Sequence, residues 1–123
     1  MKKSSGHVVV LSTAPNLKSA RQLARLALAD RLIACANLIP GIESHYWWEG
    51  KLETSREVLL VLKTLRRTLP RLEKLWREEH PYDTPELVVL DMNSGGAAYL
   101  DWIHAAVSGE GVNQNATMSS AFA

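Results

Sequence analysis

The side chains in this sequence best suited to chemistry are His80, Cys35 and Lys63, with Tyr82, Asp83 and Glu86 close by along the chain. His80 lies in the run Glu79-His80-Pro81-Tyr82. An imidazole can ligate a metal or carry a proton near neutral pH. The alternative is a histidine placed at a helix C-terminus, where the macrodipole and unpaired carbonyls favour it. Cys35 is the single cysteine, a thiolate ligand if ionised. Between Ala34 and Ala36 it also reads as a small packed residue. The spacings CxxC, HxH and HExxH are absent, so no strong metal motif is present.

Lys63 ends the apolar run that starts at Val58, and an unpaired ammonium there is costly to bury. It calls for a carboxylate, for which Glu86 is the candidate, or for a bound anion. Glu57 shares its strand face by the period of two. Tyr46, Trp47 and Trp48 form an aromatic run that suits either subunit packing or ligand stacking, and alternation sends the two tryptophans to opposite faces. Trp48, Lys63, Tyr82 and Glu86 together make a candidate pocket, between subunits, for a small anionic ligand. Ser44, His45 and Asp83 supply the residue types of a hydrolytic triad, but nothing in their spacing fixes its geometry. Gly95-Gly96 is a turn, not a phosphate-binding loop.

These groups need elements to hold them. Residues 34–64 read as two strands of about 14 residues each, or about 45 Å per arm, joined at Glu49-Gly50. A 100-residue domain has a radius of gyration of about 13 Å, so such a ribbon overhangs its own body. Pro40-Gly41 interrupts the first arm and predicts a bulge. Residues 8–11 form a buried strand, broken by Thr13-Ala14-Pro15-Asn16. A helix follows over residues 17–31, with Leu17, Ala20, Leu23, Ala24, Ala27 and Leu28 as its apolar stripe. Thr68 is the expected cap of a second helix, with Pro70 in its first turn and Leu69, Leu72, Leu75 and Trp76 inward. His80-Pro81 ends that helix. Residues 87–90 make a short strand, and Tyr99, Trp102, Ile103 and Ala106 mark a last helix.

The order β-α-β-β-α-β-α predicts an α+β fold, a ferredoxin-like βαββαβ sandwich with an additional C-terminal helix and a long hairpin between its second and third strands. One sheet face and the ribbon are then left bare. A homotrimer packing three sheets inward covers both. Residues 1–107 form one domain, residues 1–6 a loose leader, and residues 108–123 a polar C-terminal tail.

The bulk numbers exclude several classes. The formal net charge is +1 over 123 residues, so no broad field for nucleic acid is present. The basic residues from Lys63 to Arg77 alternate with Glu73, and a solvated helix face accounts for them. No apolar run reaches the length of a membrane span or a signal-peptide core. A lone cysteine rules out an intrachain disulfide, and the expected location is cytoplasmic.

Five stretches carry a resemblance to a known family: VVLSTAP, ACANLIPGIESHYWWEGKLE, EVLLVLKT, HPYDTPELVVL and YLDWI. In these the chain resembles the CutA divalent-cation-tolerance proteins over most of residues 8–107. The resemblance implies a ferredoxin-like subunit in a tight homotrimer, a link to copper and other divalent ions, and an architecture similar to the PII-like signalling proteins. It carries no enzymatic activity. In some members copper is assigned to a first-strand cysteine and two histidines before Pro-Tyr. Here His80 matches, but Ser12 and Glu79 stand in the other two positions. A hydroxyl, a carboxylate and an imidazole shift preference from Cu(I) towards harder divalent ions.

The expected function is therefore a trimeric, divalent-metal-binding protein of metal tolerance and homeostasis, not an enzyme. The metal is copper or zinc, bound weakly, with His80, Glu79 and Cys35 as ligands. The second class is a PII-like small-ligand sensor or signalling adaptor, and a hydrolase or lyase using Lys63 and His80 ranks last.

Overall fold

The computed structural model describes residues 1–109. Along the chain run β1 (Lys2–Lys3), β2 (His7–Ala14), α1 (Leu17–Ala29), β3 (Cys35–Trp48), β4 (Lys51–Leu65), a 3-10 turn (Arg66–Thr68), α2 (Leu69–Glu79), β5 (Val88–Asp91), β6 (Ser94–Gly95) and α3 (Ala97–Ser108). The fold is α+β. Its main sheet has the order β3-β4-β2-β5, with every neighbouring pair antiparallel. The polar tail expected over residues 108–123 lies, from residue 110 onward, outside the described residues.

Strand alternation divides the sheet chemically. Val8, Val10, Val58, Leu60 and Leu62 are buried and form one core with Ala20, Leu23 and Ala27 of α1 and Leu72 and Trp76 of α2, and the polar Ser12 is buried on the same face. The opposite face carries Val9, Leu11, Leu59, Val61, Val88 and Leu90. Among the described residues one end of it is covered: α3 closes over Ala34 and Leu65 with Leu100, Ile103 and Val107. The middle of that face is apolar and open, with Ile39, Val88 and Leu90 exposed.

The ribbon forms as its turn residues require. Glu49 (φ 49°) and Gly50 (φ 76°) both take positive φ, the pattern of a two-residue hairpin turn whose twist matches its strands. The register slips between Ile39 and Ile42, at the expected Pro40-Gly41 bulge, where Gly41 has φ 75°. Beyond the bulge the arms pair without a break to Trp48 and Lys51, and the residues from His45 to Thr54 are all exposed. Trp47 is 70% exposed and Leu52 is 72% exposed.

Several local expectations are corrected. The first strand runs on through Ala14, because Thr13 and Ala14 keep partners on β4. The loose leader is tied down: β1 pairs with β6, and Lys2 reaches Asp101 at 2.6 Å. Helix α1 stops at Ala29, and Leu28 is exposed rather than part of the apolar stripe. Thr68 makes no side-chain cap. A 3-10 turn precedes α2, and the Thr68 hydroxyl is spent on the carbonyls of Leu32 (2.8 Å) and Leu65 (3.0 Å).

Candidate functional site

Buried Ser12, Thr13 and His80 come together where α2 ends against β2, while His7, Thr64 and Thr68 are buried at the opposite end of the strands. Helix α2 lays Trp76 under the sheet, and Trp76 Nε1–H donates to Ser12 Oγ at 2.8 Å. The same hydroxyl donates to the Glu86 carbonyl at 2.7 Å. Ser12 thus joins strand, helix and the segment entering β5. A serine fits here because its hydroxyl both accepts and donates.

Pro81 turns the chain out of α2, and His80 at the helix end has extended backbone (φ −71°, ψ 137°). Its ring is buried, at 8% exposure. Nε2 lies 2.7 Å from the Thr13 carbonyl, which can only accept, so Nε2 carries the proton. Nδ1 accepts the Tyr82 backbone N–H at 3.0 Å. Both nitrogens are therefore occupied within the chain, contrary to the expectation of a free one. This imidazole ties the α2 terminus to β2 and sets the direction of the next three residues.

That direction carries Tyr82 to the other side of the sheet. Its ring packs beside His80, with centroids 4.9 Å apart, and its hydroxyl donates to Glu57 Oε2 at 2.8 Å. Glu57 is 8% exposed and pairs in register with Ile42, just past the bulge. Burial, followed by the hydrogen bond to the Glu57 carboxylate, raises the Tyr82 hydroxyl pKa far above the phenol range. The arrangement is a one-directional chain of donors, from phenol to carboxylate.

Lys63 belongs to a different neighbourhood. Its ammonium donates to Asn37 Oδ1 at 2.9 Å and sits 5.9 Å from the centroid of Tyr99. It does not pair with Glu86. Cys35 lies across from Lys63 in register, half-buried, with Sγ 3.8 Å from the Tyr99 hydroxyl. Burial, with the neighbouring Cys35 adding to it, pushes the Tyr99 phenol up to about 12.

The expected site residues are thus spread over three places. Trp48 is at the ribbon tip, paired with Lys51, and twelve residues of β4 separate Lys51 from Lys63, or about 40 Å of strand. Tyr82 is beside Glu57, about 20 Å of strand from Lys63. Glu86 is exposed and takes part through its backbone carbonyl. Of the expected metal ligands, Glu79 is exposed on the last turn of α2, His80 is spoken for, and Cys35 is at the far end of the sheet. Among the described residues no group of three or more His, Cys, Asp or Glu side chains converges to hold an ion. Within one protomer these residues do not form a metal centre or a shared pocket.

Two features escaped the sequence reading. One is the Glu57–Tyr82 bond. The other is a chain on the ribbon, in which His45 stands between Glu43 and Thr54. The i, i+2 spacing of Glu43 and His45 was the available signal for the second.

The family model of the CutA1 divalent ion tolerance proteins matches residues 8–106. A divalent-cation tolerance protein CutA from Escherichia coli is 46% identical over 104 residues, covering 85% of this chain and 93% of that protein. The crystal structure of CutA from Xylella fastidiosa shares 34% identity and superimposes with a TM-score of 0.81, over 84% of this chain and 99% of that one. A structure from Archaeoglobus fulgidus, described as a periplasmic divalent cation tolerance protein CutA, shares 34% identity with a TM-score of 0.79, over 82% and 98%. Fold and matched residues together define the class as that of the divalent-ion tolerance proteins. The chain belongs to the CutA1 family.

Proposed function

We propose that this chain is the subunit of a ferredoxin-like homotrimer that binds divalent cations weakly and contributes to metal tolerance. The observation that carries the assembly is the open sheet face. Val9, Leu11, Leu59, Val61, Val88 and Leu90 make one apolar surface beside an uncovered aromatic ribbon. A surface of that kind is the mark of an interface, and two unpaired sheet edges invite strand addition by further copies. The strand order with two helices on one face supports the ferredoxin-like reading.

The cation reading rests on the family and on the donor types. Carboxylate, hydroxyl and imidazole groups favour Zn²⁺ or Cu²⁺ over Cu⁺. Trp48, Lys63 and Tyr82 are too far apart along one β4 to meet, so a small-ligand cleft built from them needs adjoining subunits. That cleft is the form a PII-like sensor takes on this scaffold. We place the protein in the cytoplasm, on the strength of its single cysteine.

Sedimentation equilibrium tests the assembly, with three times the chain mass expected at micromolar concentration. Growth of cells lacking the gene, in graded Cu²⁺ and Zn²⁺, tests the function. Restored growth on returning the gene is the expected result, and equal growth with and without it overturns the reading.

A further inference from the structure

We infer that the open sheet face carries a divided ion pair, which closes between copies: Lys63 of the partner subunit meets Glu57, beside Tyr82, at each boundary of the assembly. The observation behind it is one of burial. Among the described residues Glu57 is the one Asp or Glu that is not exposed, and Lys63 is the one Lys or Arg that is not exposed. Neither makes a salt bridge within the described protomer.

Both groups are left with unused bonding capacity. Glu57 Oε2 accepts the Tyr82 hydroxyl at 2.8 Å, and Oε1 has no donor among the described residues. A buried carboxylate held by a single neutral phenol is short of a positive partner. Lys63 gives one of its three N–H bonds to Asn37 Oδ1, at 2.9 Å, and keeps two. An exposed carboxylate elsewhere gains little by taking that ammonium, because water already serves it. Glu57 gains most, since it has already given up its water.

Their placement fits a contact between copies. Glu57, Leu59, Val61 and Lys63 follow the period of two along β4, so all four lie on the side of the sheet opposite α1 and α2. Negative charge stands at one end of this column and positive charge at the other, with two apolar side chains between. Six residues of strand, about 20 Å, keep the two from meeting within one chain. A head-to-tail contact brings the positive end of one column to the negative end of the next. When the rotation closes a ring, each charge is used once and none is left over. The pair thus sets which end of one chain meets which end of its neighbour, and the apolar residues supply the area.

This inference rests on the trimeric reading above and adds the residues that orient neighbouring chains. Sedimentation equilibrium of Lys63→Glu, of Glu57→Lys and of the chain carrying both tests it. Each single variant sets like charges at every boundary and weakens association at least about 100-fold. The double exchange restores the trimer, and the separation along β4 makes that recovery a report on contact between chains. Glu57→Gln, Lys63→Met and their double repeat the cycle without a reversed charge, for the case in which Glu57→Lys loses its fold with the Tyr82 bond. That double associates more tightly than the two single losses together would give. In a trimeric wild type, unchanged association of Lys63→Glu, or strictly additive losses in the neutral cycle, overturns the pair and leaves the trimer standing. A wild-type chain that sediments as a monomer removes the assembly and the pair with it.

Discussion

The Tyr82 hydroxyl is bonded to the Glu57 carboxylate at 2.8 Å, across the sheet from the helix that delivers it. Glu57 is almost fully buried, and no cation lies beside it among the described residues. Tyr82→Phe removes its donor and is expected to cost about 1–3 kcal/mol, the range for orphaning a buried polar group. Glu57→Gln in the Tyr82→Phe background recovers part of that loss, because a neutral amide is cheaper to bury than a carboxylate. Denaturant unfolding of the two single variants and the double variant measures the coupling. Additive effects of the two substitutions contradict it.

Burial of two phenols makes stability fall at high pH. The Tyr82 and Tyr99 phenols have folded-state pKa values raised above the ordinary 10.0, Tyr99 to about 12. The folded protein holds these protons more tightly than the unfolded chain. Their contribution is whole below pH 10.0 and is lost as pH climbs through the folded-state values. Absorbance titration is expected to show two phenols that ionise only at strongly alkaline pH, and in urea all tyrosines titrating near 10. Ionisation of both near pH 10 in the folded protein contradicts the assignment.

Ser12→Ala strands two partners at once, the Trp76 indole and the Glu86 carbonyl. The expected loss is about 1–3 kcal/mol for the buried indole N–H alone. Ser12→Thr keeps the hydroxyl but adds a methyl to a fully buried position, so it costs stability through crowding. Thermal melts rank the three chains wild type, Ser12→Thr and Ser12→Ala if the hydroxyl dominates, and reverse the variants if space does.

The ribbon turn admits improvement. Glu49 holds φ 49° with an ordinary side chain, a conformation that costs most residues about 1–2 kcal/mol and asparagine less. Glu49→Asn raises stability, and Gly41→Ala lowers it by about 1 kcal/mol at a site where a Cβ meets no other atom. A neutral Gly41→Ala shows that the bulge relaxes.

Leu90→Lys places an ammonium on the open sheet face, where an isolated protomer leaves it in water. It is expected to leave the protomer folded and abolish self-association in sedimentation. Association unchanged by it moves the interface elsewhere.

Much of this architecture is readable from the residues themselves. Glu49-Gly50 and Pro40-Gly41 announce the turn and the slip because few residues tolerate those backbone angles, and His80-Pro81 ends α2 for a steric reason of its own. Partners are harder. Periodicity says which face Lys63 occupies, but not that Asn37, 26 residues away, takes its ammonium in place of Glu86. The proton on His80 Nε2 is settled by Thr13, 67 residues distant. The Lys2–Lys3 pairing with Ser94–Gly95 joins segments far apart in the sequence and leaves no local pattern.

The slip at Pro40-Gly41 marks where the ribbon leaves its support. From there to the turn it is a cantilever of about 27 Å, so a change of about 10° at its root swings the tip by about 5 Å. Glu43, His45 and Thr54 ride on that arm beyond the pivot. Trp47 and Trp48, at the far end of that arm, undergo the largest part of such a swing.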